Sequence, residues 1–498
     1  MALEAHNPIS LPQALTEFLR RSNRWWEGNP GPATPSYRRW AFRTAVRKLE
    51  AGLAPAVVLR GPRQVGKTTL QLQVIEHLIR EKCVDPRRIL HVQFDECPSL
   101  SGLVDPILAI AWWFEDHVLG RTFNEAGRGG APAFLFFDEI QGVAQWAPQL
   151  KSLVDHNTLK AFVTGSSALR IEAGRDSLAG RITQVDLGTL LLREIIAMRF
   201  QEALEPHMPA NGLEPLLHAD FWRSLQAAGR GQNSLRDRGF TEFSRRGGYP
   251  VAHAHPDTPW PELADQLNET VIQRAIQHDM LKRRRRDQEL LLEEVFRLAC
   301  RYAGQSPGPA LFVPELQQAL GIGLGWPRIL GYLRRLDAAM LVRLVPPLDL
   351  RLKRRTSGSK LCLCDHGLRA SWLQEIIPLD VEGLAQAPHL SDLAGHIAES
   401  VVGYFLGGIP HLDLAHFPER GAEPEVDFIL TIGEHRIPLE VKYRQRIDPL
   451  RDTVGLRAFL EKRVYNAPFA VLVTMHDDVS VPDPRILTVS LPSLLLLR

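Results

Sequence analysis

Between Pro55 and about Leu187, short apolar runs recur along the chain: AVVLR (Ala56–Arg60), ILHVQF (Ile89–Phe94), AFLFFDE (Ala133–Glu139), AFVTG (Ala161–Gly165) and ITQVDL (Ile182–Leu187). Each run is continuous, not alternating, and stretches with helical spacing separate most of them. That pattern predicts a parallel sheet covered on both faces. Residues 1 to about 50 read as a polar, partly helical extension, broken by EGNPGPATPS (Glu27–Ser36). The stretch near 190–250 reads as helical. From Glu293 to Val345 the spacing predicts helices and then a strand, followed by the basic loop DLRLKRRTSGSK (Asp349–Lys360). From about residue 361 strands and helices alternate again, so the chain is α/β in class.

A chain of 498 residues exceeds one hydrophobic core, and roughly three or four domains are expected. The expected divisions are 1–50, 51–188, 189–280, 281–360 and 361–498. A net charge of +2 advertises no polyanionic partner, so nucleic acid would be met by local basic patches. Five irregularly spaced cysteines suit a reducing compartment, and the Cys362/Cys364 alternation reads as strand packing. With no signal-peptide pattern and no apolar run of membrane length, the sequence reads as cytoplasmic, with no membrane partner.

The first apolar run leads into Gly61-Pro62-Arg63-Gln64-Val65-Gly66-Lys67-Thr68, followed by Thr69 and a stretch of helical periodicity. Strand, G-x-x-x-x-G-K-[ST] and helix in that order predict a phosphate-binding loop. Its glycines let backbone N–H groups wrap phosphates at a helix N-terminus. Lys67 is expected on the β- and γ-phosphates and Thr68 on Mg²⁺, so ATP and Mg²⁺ are the expected cofactors. FLFFDEIQ supplies a second strand end, where Asp138 can hold the metal through water and Glu139 can polarise the attacking water. At the next strand end, Thr164 or Ser166 either contacts the γ-phosphate or the water, or caps the following turn.

Towards the C-terminus, DFILTIGEHRIPLEVKYR (Asp427–Arg444) predicts a hairpin turning at Gly433-Glu434. Strict pairing sets Asp427 opposite Glu440 and Glu425 opposite Lys442. These four then share one face, while Val426, Phe428, Leu430, Ile432, Ile437, Leu439 and Val441 share the other, core face. Opposed carboxylates repel, so either Lys442 or a bound Mg²⁺ must balance them. Pro438 belongs at an edge or a bulge. Upstream, helix, Gly-containing turn, longer helix and strand give winged-helix spacing, with Trp326–Ala338 as the would-be recognition helix. Arg351, Lys353, Arg354 and Arg355 would form its wing. They and the run Lys282, Arg283, Arg284, Arg285 and Arg286 are either DNA contacts or solvated faces.

The motifs GPRQVGKTT, FLFFDEIQ, VTGSSALRI, SLAGR, FSRRGGYP, KLCLCDHGL, GHIAESVV and the hairpin, in that order over roughly residues 50–445, resemble the prokaryotic AAA-family ATPases. Those proteins join a P-loop core to a winged helix and a C-terminal domain of restriction-endonuclease-like, PD-(D/E)xK fold. The resemblance implies a P-loop AAA-type core at 51–188, a helical lid at 189–280, a winged helix at 281–360 and a nuclease-like domain at 361–498. It implies that Arg181 senses or completes a nucleotide site, its own or a neighbour's in a homo-oligomer; a surface or ion-pair arginine is the alternative. Gly247–Pro250 is similar to the Gly-x-Pro element of some relatives' lids. Glu399 matches the upstream helical acid of the nuclease fold. In active members the acids, here Glu399, Asp427 and Glu440, bind Mg²⁺, and the lysine, here Lys442, orients the attacking water. Three functions follow as expectations: an ATPase acting on DNA through a nuclease-like domain, a regulatory ATPase whose C-terminal domain is a binding scaffold, and a winged-helix transcription regulator.

Overall fold

The structure, a computed structural model, describes residues 10–98, 100, 102–165, 178–208, 212–279, 286–321, 323–349, 358–419, 421 and 423–498. Ser166, the wing residues Arg351–Arg355 and the basic residues Lys282–Arg285 lie outside them. The chain divides into two compact units, Met1–Leu187 and Gly188–Arg498.

In the first unit, β1 (Ala56–Arg60), β2 (Ile89–Gln93), β3 (Ala133–Asp138), β4 (Leu159–Gly165) and β5 (Ile182–Asp186) form a parallel sheet in the order β2-β3-β4-β1-β5. The strands are buried almost throughout, as continuous apolar runs require. Residues 10–50 pack as part of this unit. Leu11, Leu15 and Leu19 join its core. The exposed backbone edge of β2 is taken up by side chains: Asn23 donates from Nδ2 to the His91 carbonyl at 2.8 Å and accepts the His91 N–H at 2.7 Å. The Trp25 and Trp26 indole N–H groups both donate to the Ile89 carbonyl, at 3.1 and 2.7 Å. An edge strand covered this way cannot pair with another chain.

The second unit holds an antiparallel pair, β6 (Val342–Val345) with β7 (Lys360–Leu363), and a mixed sheet of β8 (Asp413–Phe417), β9 (Val426–Ile432), β10 (His435–Lys442), β11 (Ala470–Thr474) and β12 (Ile486–Ser490). The sheet order is β12-β11-β10-β9-β8. β8, β9 and β10 form an antiparallel meander, and β10, β11 and β12 run parallel. Three helices, Arg286–Arg301, Pro309–Leu320 and Trp326–Ala338, precede the β6–β7 pair. The helices expected as a lid on the phosphate-site domain belong instead to this unit. Ile195, Trp222 and Phe240 share one apolar core with Val471, Leu491 and Leu494. GGYP meets KLCLCDHGL: the buried Asp365 carboxylate accepts the Gly248 and Gly367 N–H groups. A Cβ on Gly247 would lie 2.1 Å from Asp365 Oδ1, so this turn is a packing junction.

The hairpin turns at Gly433-Glu434, with Gly433 at φ +58° and His435 paired to Ile432. The face bearing Asp427 and Glu440 is buried as well, and Ile429 on that face packs with Phe459 and Leu472 in a second apolar cluster. Val426 also joins that cluster and not the one formed by Phe428, Leu430 and Ile437. The sheet is thus covered on both sides. Pro438 is tolerated inside it because pairing with β11 begins only at Leu439.

Candidate functional site

In a parallel sheet every strand delivers its C-terminal end to one edge, where ligands bind. At that edge β1 passes into the loop Gly61–Gly66 and the helix Lys67–Arg80. Gly66 has φ +90°, a left-handed conformation that glycine adopts without strain. A Cβ on Gly61 would stand 2.1 Å from the Leu187 carbonyl oxygen, so only glycine fits that close crossing. Lys67 is buried, and its ammonium donates to the loop carbonyls of Gly61 and Pro62 at 3.1 and 2.7 Å. Arg39 is also buried and donates to the Val65 carbonyl at 2.8 Å, bracing the loop from outside. No local pattern in the sequence marks Arg39.

β4 lies between β1 and β3 in the sheet. Thr164, near its end, therefore sits beside Asp138 at the end of β3. The Thr68 hydroxyl donates to Asp138 Oδ2 at 2.6 Å, and the Thr164 hydroxyl donates to Oδ1. Asp138 is fully buried; burial raises its pKa, while the Thr164 and Thr68 hydrogen bonds pull it back. Glu139 follows at φ +50°, with its N–H on Thr164 Oγ1 at 3.2 Å and its carboxylate accepting from Gln141. A wrapped backbone loop, a lysine, a hydroxyl and a buried carboxylate at one strand edge fit a nucleotide polyphosphate with Mg²⁺. Arg63, Gln64 and Thr69 lie on the same loop and helix start. Arg181 does not join them. It precedes β5, its carbonyl accepts the Ala56 N–H at the opposite end of the strands, and its guanidinium pairs with Asp155 at 2.5 Å. Within this chain it cannot reach the phosphate loop.

A second cluster lies in the other unit. Glu399 stands on the helix Ser391–Gly407. One turn on, a Cβ at Gly403 would meet Cys362 Sγ at 2.3 Å, so the helix lies directly against β7. Lys360 lies on the same face of β7 as Cys362, which brings it to Glu399. Lys360 Nζ lies 2.6 Å from Asp427 Oδ1, 3.0 Å from Glu399 Oε2 and 3.9 Å from Glu425 Oε1, at 1% side-chain-plus-backbone exposure. Asp427 Oδ2 accepts the Val441 N–H at 2.9 Å, and Lys442 Nζ lies 2.6 Å from Glu440 Oε1. Glu440 Oε2 is buried without a hydrogen-bond partner.

Of the two balancing charges expected, Lys442 or a bound Mg²⁺, Lys442 pairs with Glu440, and Lys360, which the sequence did not mark, pairs with Asp427 and Glu399. Burial acts to raise Asp427, but the Lys360 and Lys442 charges bring it below the usual carboxylate range. Glu399 and Glu440 are raised, by burial first and then by the Asp427 charge. Burial opposes the charge on Lys360, and Asp427 and Glu399 more than restore it. With an ammonium between Glu399 and Asp427, these residues as arranged do not fit a divalent cation. Among the described residues, no group of three or more His, Cys, Asp or Glu side chains is disposed to hold a metal ion. No described helix is long and apolar enough to cross a membrane.

Residues 237–377 match a family described as a domain of unknown function. The chain is 32% identical over 141 residues to an uncharacterized protein of Methanocaldococcus jannaschii, covering 28% of this chain and 27% of that one. It is 28% identical over 158 residues to an uncharacterized protein of Mycobacterium tuberculosis, covering 31% and 30%. The matched segments thus span less than a third of each relative. Among solved structures, a Signal Transduction ATPase with Numerous Domains protein with a tetratricopeptide repeat sensor from Pyrococcus horikoshii aligns at TM-score 0.21 and 11% identity, over 77% of this chain and 49% of that one. A Drosophila ORC structure bound to DNA aligns at TM-score 0.23 and 13% identity, over 75% and 97%. Neither score reaches the level of a shared fold. Residues 54–196 match the family described as AAA domain, the stretch that carries the phosphate loop and Asp138, and this match supports an AAA-type ATPase.

Proposed function

We propose that the first unit binds and hydrolyses ATP through Lys67, Thr68, Asp138 and Glu139, and that the chain is a nucleotide-controlled switch that engages DNA. The observation that carries the ATPase reading is the Thr68–Asp138–Thr164 arrangement beside the phosphate loop. Lys67 exchanges its two loop carbonyls for phosphate oxygens. Thr68 and Asp138 hold Mg²⁺, which when bound neutralises charge on the phosphate oxygens. Glu139, one residue beyond Asp138, orients the attacking water and accepts its proton. Arg181 either acts on a neighbouring chain's nucleotide or remains the ion pair it makes with Asp155; concentration-dependent turnover separates the two. ATP turnover by the purified chain, compared with Glu139→Gln, tests this reading: the variant binds ATP and does not turn it over.

DNA engagement rests on three helices followed by an antiparallel pair, the winged-helix order, with Arg328 and Arg334 exposed on the helix Trp326–Ala338. Binding that weakens steeply with salt supports it, and no retention of duplex at low salt removes it. The helix Ser391–Gly407, the meander β8–β9–β10, the helix Val454–Leu460 and the parallel β11 follow the order of restriction-endonuclease-like folds. Cleavage by that domain is a second reading, favoured by the gathering of Asp427, Glu440 and Lys442. It predicts Mg²⁺-dependent nicking that disappears in Lys442→Ala. A fold alone does not carry that activity.

A further inference from the structure

We infer that Lys360 is a built-in counter-cation that takes the place of a divalent metal at the Glu399–Asp427–Glu440 cluster, and that the cluster accepts such a metal only when this lysine is withdrawn. The lysine comes from β7, outside the sheet that supplies Asp427 and Glu440. It reaches two carboxylates from different elements at 2.6 and 3.0 Å. It is not a peripheral pairing: Lys360 is among the largest fully buried side chains, and its ammonium lies 5.1 Å from the Phe428 ring centroid. A lysine so enclosed stays charged because carboxylates surround its ammonium.

A second observation points to a ligand. Glu440 is 8% exposed, and its Oε2 is buried with no hydrogen-bond partner, while Oε1 is taken by Lys442. Buried carboxylate oxygens are otherwise satisfied, and one left open calls for a donor or a cation. Lys360 satisfies Glu399 and Asp427 but not this oxygen. Three carboxylates, one with an open oxygen, offer the oxygen ligands that Mg²⁺ and Mn²⁺ take. One ammonium point charge meets part of that demand and blocks the rest. Mg²⁺-dependent cleavage at this cluster requires Lys360 to be withdrawn first, so the inference bears on the cleavage reading.

Mn²⁺ binding to the nucleotide-free full chain, counted by the loss of the free-ion electron paramagnetic resonance signal, tests it. Wild type and Asp427→Asn are expected to bind the same number of ions. Lys360→Met is expected to gain one ion per chain, and Lys360→Met/Asp427→Asn to lose it again. Lys360→Gln, which keeps N–H donors for both carboxylates without the charge, repeats the test if the methionine variant does not fold. Two results overturn the inference: a wild-type ion count that drops in Asp427→Asn, or a folded Lys360 variant that binds no more Mn²⁺ than wild type. The ATPase reading is untouched by either, since it is read by turnover.

Discussion

Replacing Lys360 by methionine keeps the length of the side chain and removes its charge, leaving two buried acids facing each other. The gross attraction lost is large. At 2.6 and 3.0 Å, and an effective dielectric of about 20, each contact is worth about 6 kcal/mol. Most of that offsets the cost of taking three ions out of water, so the net effect is far smaller. Removing one partner of a buried pair typically costs about 3–5 kcal/mol, because the remaining charge is stranded. The expected loss for Lys360→Met is therefore about 3–5 kcal/mol in metal-free buffer. Neutralising the acids as well relieves the stranded charge. Asn at 427 still accepts the Val441 N–H, which Asp427 now holds at 2.9 Å. The triple variant Lys360→Met/Glu399→Gln/Asp427→Asn is thus expected within about 2 kcal/mol of wild type, a strongly non-additive result. Urea unfolding followed by tryptophan fluorescence, with EDTA present, measures all of these. A loss below about 1 kcal/mol for Lys360→Met, the range of ordinary surface substitutions and a little beyond, would refute the reasoning, as would simple additivity.

Three further outcomes follow from other parts of the chain. Asn23→Ala strips the His91 backbone of both its partners on the covered edge of β2; a loss of about 2 kcal/mol in the first unit is expected by urea titration. Gly61→Ala forces a methyl to within 2.1 Å of the Leu187 oxygen, so the loop shifts and ATP affinity, read by a fluorescent analogue, falls at least about tenfold, or 1.4 kcal/mol. His91 is buried and its pKa is pushed down to about 4. The sign follows directly: the unfolded chain takes up a proton near pH 6.5 and the folded chain does not, so this histidine's contribution is complete above pH 6.5 and is lost as pH falls toward 4. Relative to His91→Leu, wild type should lose about 1.4 kcal/mol per pH unit in that window; a stability difference flat from pH 6.5 to 4 contradicts the burial argument.

The phosphate loop was legible because its chemistry is contiguous: eight residues, a strand before and a helix after, all read without tertiary information. The parallel sheet was legible for a similar reason, since continuous apolar runs are its direct signature. The hairpin register could be read because a two-residue turn with glycine first leaves one pairing. What could not be read was made by residues far apart in the chain. Lys360 and Asp427 are 67 positions apart, and a lysine at the end of a basic loop looks like part of that loop. Arg39 carries no local signal, because its partner is a backbone carbonyl. Asn23, Trp25 and Trp26 carry no local signal because they finish the edge of a strand about 65 residues on. The helices of 189–250 have apolar stripes that say they pack, but not on what; the core they share with Leu491 and Leu494 fixes that.

The central claim is that the loop Gly61–Thr68 and its Asp138 neighbour bind and turn over ATP. Steady-state phosphate release by the full chain with ATP and Mg²⁺, set beside Lys67→Ala, tests it most directly. The account predicts turnover by wild type and its loss in Lys67→Ala, with the variant folded by circular dichroism. Turnover that persists unchanged in Lys67→Ala would contradict it.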